Sequence, residues 1–124
     1  MQKISIEFSG VQLVAVLNTS ETAKSIADSL PLEGEVSIWG DEIYFSIPVF
    51  LDESPEAVED VEPGDLAYWP AGHAFCIFFG PTPVSKESEP RAVSPVNPIG
   101  KLIGNIEVLK KLGSSIYVRI EISK

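Results

Sequence analysis

Apolar residues recur at every second position along much of this chain, in short runs broken by glycine and proline. Ile4, Ile6 and Phe8 alternate with Ser5, Glu7 and Ser9, and near the other end Ile116, Val118, Ile120 and Ile122 alternate with polar or amphipathic neighbours. A period of two places all the apolar members on one face of an extended strand, whereas a helix needs a period near 3.6. The sequence therefore predicts a mainly β protein. Its turn signals are short, so consecutive strands are expected to run antiparallel. Ser9-Gly10 separates the first run from "VQLVAVLN", and Gly40-Asp41 sits between "EVSIW" and "EIYFSIPVF" as a two-residue hairpin turn. "VQLVAVLN" is apolar at nearly every position, which predicts cover on both faces. "LAYW" and "AFCIFF" read as two more strands, joined through Pro70, Ala71, Gly72 and His73.

Two segments depart from this period. In "ETAKSIADSLP", Ala23, Ile26, Ala27 and Leu30 fall on one helical face, Thr19 or Ser20 can cap the start, and Pro31 follows the end. "NIEVLKKLG" reads as a short helix with Asn105 as cap, Glu107 near its positive end and Lys110 and Lys111 near its negative end. Between Pro81 and Pro98 the chain holds five prolines; this predicts a long irregular connection. The finish, "SSIYVRIEIS", reads as a last strand, with Arg119 on its outer face. Closing a sheet of about eight strands removes its edges and gives a cylinder that side chains can fill. The expected fold is thus one domain over residues 1–124, a closed β-barrel of about eight strands with the two short helices capping its ends.

Composition excludes several functions. At 124 residues the chain can bury a core without disulfides, and its single cysteine, Cys76, forms none internally. The net charge of −9 repels phosphate backbones and anionic headgroups, so neither nucleic acid nor a membrane surface is an expected partner. The start lacks the pattern of a signal peptide and no apolar run approaches the ~20 residues needed to span a bilayer; a soluble, cytoplasmic protein is expected. Acidic residues crowd the stretch from Asp41 to Asp65, which has no lysine or arginine. Its core, "DESPEAVEDVEP", lacks the alternating ligands and central glycine of a calcium loop and reads as a solvated loop, or as a dock for a basic partner. His73 has no second histidine at ligand spacing, so no metal is expected. Cys76, between Phe75 and Ile77, reads as a small buried hydrophobe. No phosphate-binding glycine loop or nucleophile elbow is present, and no cofactor is implied.

The densest apolar and aromatic stretch, "GDLAYWPAGHAFCIFFGP" at 64–81, carries the candidate site. Tyr68 and Trp69 are adjacent on a strand and so point to opposite faces; one belongs to the core and the other to a groove or solvent. Several segments resemble cyclophilins. "ETAKSIADSLP" is similar to their first helix, "EPGDLAYW" to the strand that enters their site, "GHAFCIFF" to their Gly-Ser-Gln-Phe-Phe-Ile strand, and "IGKLIGNIEVLKKLGSS" to their Gly-Lys-Val turn and short helix. The chain most resembles the small prokaryotic cyclophilin-like proteins, through the Gly-Asp-Leu-Ala-Tyr-Trp-Pro and Phe-Phe-Gly-Pro-Thr-Pro motifs of residues 64–83. This resemblance implies a peptidyl-prolyl isomerase, or a proline-peptide binder. Isomerases of that family donate a hydrogen bond from an arginine to the prolyl nitrogen. Their arginine strand aligns with "YFSIP", which puts Ser46 in the arginine's place, and their glutamine falls on Ala74. Arg91, in the 81–98 connection, is the one residue that can replace the donor; its simpler reading is a solvated loop arginine. The implied site therefore has Arg91 as catalytic group, with Tyr68, Trp69, His73, Phe75, Ile77, Phe79 and Ser46 binding a proline-containing peptide. The competing expectation, drawn from the missing arginine and the retained aromatic patch, is a small-molecule-binding barrel or an enzyme of another kind. The sequence leaves the oligomeric state open.

Overall fold

The computed structural model describes residues 1–113 and 116–123. Its strands are β1 (Lys3–Phe8), β2 (Val11–Leu17), β3 (Leu32–Glu35), β4 (Ser37–Trp39), β5 (Glu42–Ser46), β6 (Val58–Asp60), β7 (Asp65–Trp69), β8 (Ala74–Phe78), β9 (Arg91–Ile103) and β10 (Tyr117–Ile122). One α-helix, α1 (Glu21–Asp28), and two 3₁₀ turns, Pro70–Gly72 and Ile106–Lys111, are the other elements among the described residues. Ser114 and Ser115, at the start of the expected last strand, lie outside the described residues, as does Lys124. All paired strands are antiparallel, in the order β3-β10-β1-β2-β9-β7-β8-β5-β4, with β6 added on β9.

The predicted turns are where the sequence puts them. Phe8 faces Val11 across Ser9-Gly10, and Trp39 faces Glu42 across Gly40-Asp41. Gly10 and Gly40 both have positive φ, at 78° and 60°, which a side chain would oppose. The Ser20 hydroxyl caps α1 by accepting from the Ala23 N–H, and Asn105 caps the second 3₁₀ turn by accepting from Glu107. α1 lays Ala23 and Ile26 into the main core, beside Ile4, Ile6 and Phe8 of β1, Leu17 of β2, Ile99 of β9 and Val118 and Ile120 of β10. On β2 only Leu13, Ala15 and Leu17 are buried; Val14 and Val16 are half-covered, so double-sided burial is not reached.

Two expectations need correction. The first is closure. The ladder is open, because its end strands β3 and β4 exchange no ladder hydrogen bonds. They are nonetheless consecutive in the chain. Only Val36 separates them, and its N–H donates to the Ile116 carbonyl at 2.9 Å. The stretch 32–39 thus borders the sheet at both ends. The second concerns the connection from Pro81 to Pro98, whose latter part is strand: β9 runs for 13 residues through Pro95 and Pro98. Both prolines sit where the ladder slips. The β6 register shifts between Val96 and Arg91, and the β7 register shifts between Gly100 and Pro98. Bulges of this kind tolerate a residue that has no N–H to give. β6 itself forms within the acidic stretch expected to be irregular.

Two buried polar side chains tie loops to this frame. Asn97 donates to Thr22 on α1 and to the Asp52 carbonyl, and accepts from the Ser54 N–H at 2.8 Å. Tyr68, fully buried, donates its hydroxyl to the Val49 carbonyl at 2.6 Å and accepts from the Leu51 N–H at 3.1 Å. Tyr68→Phe leaves both backbone groups without that partner. We expect a loss of ~1–3 kcal/mol, read from urea unfolding as a lower midpoint at unchanged slope. A midpoint equal to wild type would mean that water replaces the hydroxyl.

Candidate functional site

The face on which each aromatic falls follows from register. Tyr68 faces Phe75 across β7 and β8, and Trp69 faces Ala74. Residues opposite each other share a face. Tyr68, Phe75 and Ile77 therefore point together into the main core, which Phe79 joins just beyond β8. Ala74, Cys76 and Phe78 point the other way, into a second, smaller cluster with Val61, Ala67, Ala92 and Val96. Tyr44 and Trp69 pack against that cluster.

Above it lies a cleft of about 210 Å³, lined by Trp39, Glu42, Tyr44, Trp69, Ala92, Val93 and Val96. The β4–β5 hairpin supplies three of these walls at once. Trp39 is opposite Glu42, and Glu42 and Tyr44 are two apart on β5, so all three project from one face. β7 supplies Trp69 and β9 the aliphatic side. The Tyr44 and Trp69 rings meet edge to face, with centroids 6.2 Å apart and planes at 82°. The indole is pinned from both sides. Its Nε1 donates to Ser94 Oγ at 2.7 Å, and its ring lies over Gly72, where an added Cβ would come within 2.3 Å of Cε3 and Cζ3.

Glu42 is the ionisable group that distinguishes this cleft. Only 6% of it is exposed, and burial pushes its carboxyl up from 4.5 to about 7, against an opposing hydrogen-bonding influence from Cys76. The Cys76 thiol, buried beside it, is pushed well above the ordinary range by burial and by Glu42, so it stays protonated. Its own donor contact is a long one, 3.8 Å to the Ala74 carbonyl.

Of the residues proposed from sequence, Trp69 alone lines the cleft. Tyr68, Phe75, Ile77 and Phe79 are core residues on the opposite face. Ser46, paired with Ala74 at the end of β5, is exposed. His73 is held in a left-handed conformation (φ 49°, ψ 50°) after the 3₁₀ turn, and its ring meets Phe50 with centroids 4.8 Å apart, outside the cleft lining. The Arg91 guanidinium is paired with Glu59 at 3.1 Å and Asp60 at 3.4 Å. Lys101 similarly pairs with Glu62 and Asp65, so the acidic stretch meets part of its charge within the chain. Trp39, Glu42 and Tyr44 were not among the sequence candidates. The signal that exposes them is the hairpin register, which puts a tryptophan, a glutamate and a tyrosine on one face.

Among the described residues no helix is long and apolar enough to cross a membrane, and no group of three or more His, Cys, Asp or Glu side chains is placed to hold a metal ion. The strands thus form a mainly β, all-antiparallel fold with an aromatic cleft outside its main core. The chain belongs to the cyclophilin-like family, whose description matches residues 2–121. It is similar to the hypothetical protein AF2241 from Archaeoglobus fulgidus, whose solution structure shares 36% sequence identity over 98% of this chain and 95% of that chain, with a TM-score of 0.83. No functionally curated protein matches the chain.

Proposed function

We propose that this protein is a small-molecule-binding member of the cyclophilin-like family and that the cleft bounded by Trp39, Glu42, Tyr44 and Trp69 is its site. The observation that carries this reading is the buried carboxyl of Glu42 set among aromatic rings. A concave apolar surface with one perturbed ionisable group is the usual form of a ligand site. The geometry favours binding over prolyl isomerisation. The barrier to rotation about a prolyl bond is ~18–20 kcal/mol, arising from amide resonance. Lowering it calls for a donor at the prolyl nitrogen. Arg91 is engaged with Glu59 and Asp60, and Ser46 lies at the surface.

Intrinsic tryptophan fluorescence against a panel of small metabolites tests the reading. Binding is expected to perturb the emission, and Trp69→Ala is expected to weaken it by ~10-fold, the loss of about 1–2 kcal/mol from a stacked indole. A protease-coupled assay on a proline peptide is expected to run at the uncatalysed rate. Acceleration proportional to protein concentration and abolished by Arg91→Ala would replace this reading with isomerase activity.

A further inference from the structure

The geometry points to a small organic ammonium ion as the occupant of the cleft, held against the Trp39, Tyr44 and Trp69 rings with its charge toward the Glu42 carboxylate. This rests on the reading of the cleft as a binding site. Three observations carry it. First, the lining is aromatic or aliphatic apart from Glu42, and among the described residues no lysine or arginine belongs to it. An anion would meet the carboxylate with nothing to offset it. A neutral ligand can at most donate a hydrogen bond to the carboxylate and brings it no counter-charge. Second, the rings are arranged for a cation. A cation is attracted when it lies within ~6 Å of an aromatic centroid. With the Tyr44 and Trp69 centroids 6.2 Å apart and their planes near perpendicular, a group seated in that corner is within reach of both. Third, about 210 Å³ is below the ~300–1,000 Å³ usual for drug-sized ligands, so the occupant is small.

The charges around Glu42 support the assignment. From β8 it meets the Cys76 thiol, which stays protonated. From β4 it is paired with Trp39, and it shares the cleft lining with Ala92, Val93 and Val96 of β9. On β5 its titratable neighbour in the cleft is Tyr44. Asp41, at the hairpin turn, has its carboxylate against Gly80, and the Arg91 guanidinium is turned to Glu59 and Asp60. Burial, with no counter-charge among the described residues of the lining, raises the Glu42 carboxyl to about 7. An ammonium ion supplies that counter-charge, and binding it expels the proton.

Calorimetry with choline and its neutral isostere 3,3-dimethylbutan-1-ol, at about pH 5.5 and about pH 8.5, tests this directly. Choline carries a fixed charge, so any pH dependence belongs to the protein. Choline is expected to bind up to about 30-fold more tightly at the higher pH, the factor by which ionised Glu42 is depleted 1.5 pH units below its midpoint. The isostere is expected to bind weakly and without that slope. Glu42→Gln is expected to abolish the choline preference and Trp69→Ala to weaken choline binding. An isostere that binds as tightly as choline at both pH values overturns the ammonium assignment and leaves the binding site standing. Choline binding unchanged by both substitutions also overturns it. If neither probe binds, the assignment falls, and the fluorescence panel alone decides whether the cleft is a site. Should Glu42→Gln fail to fold by circular dichroism, the wild-type slopes of the two probes decide.

Discussion

Glu42→Gln is expected to stabilise the protein by up to ~3 kcal/mol near pH 8.5 and by almost nothing near pH 4.5. The folded state holds the Glu42 proton to about pH 7, against an ordinary value of 4.5. Across that window the native chain binds more protons than the unfolded one, so wild-type stability falls as the pH rises through it. Above about 7 the carboxylate is ionised in both states, and the full cost of holding it in the apolar cleft remains. That cost is ~1.36 kcal/mol for each pH unit between the two values. Glutamine has nearly the same shape and no charge, so it does not carry the penalty. Urea midpoints for both proteins at the two pH values give the result. An equal difference at both would mean that the carboxylate is solvated and that the ammonium assignment loses its support. A gain confined to high pH would show a side chain kept at the expense of stability, as functional groups often are.

The second large effect is expected at Gly100, where alanine should cost ~3 kcal/mol or more. The reason is space rather than backbone conformation. Gly100 pairs with Leu17 on one side and Leu66 on the other. A Cβ there would stand 2.3 Å from the Val16 carbonyl oxygen and 3.0 Å from Leu17 Cα. These are backbone atoms of β2, so no rotamer change relieves the clash and the β2–β9 ladder must part. Gly34 is the contrast: its added Cβ would be 3.3 Å from Phe45 Cδ2, a side-chain atom that can shift. Thermal unfolding of the two alanine variants should separate them clearly. Similar melting temperatures would mean that β9 moves away from β2 more easily than its packing implies.

The elements legible in the sequence are those whose signals are local. The hairpins at Gly10 and Gly40, the helix capped by Ser20 and the turn capped by Asn105 each carry their cause within a few residues. Alternation also separates Tyr68 from Trp69, but it does not say which of them faces the core. That choice depends on β8 pairing, where both faces are apolar: Phe75 and Ile77 on one, Cys76 and Phe78 on the other. Phe75, Ile77 and Phe79, the candidates that sequence suggests, lie on the face turned to the main core, away from the cleft. β9 was hidden because Pro95 and Pro98 break the strand signal, and only β6 and β7, distant in sequence, create the bulges that accept them. Glu42 was hidden for a related reason. A glutamate beside a hairpin turn reads as a solvated charge until Trp39, Tyr44 and the outer face of β8 close around it.

The single residue Val36 has a mechanical consequence. The sheet's two margins are only four and three residues long, and both are segments of one strap of chain. Short margins offer little template to a foreign strand. More than that, peeling the first margin from β10 pulls through Val36 on Trp39, so the wall of the cleft is hitched to the far side of the molecule.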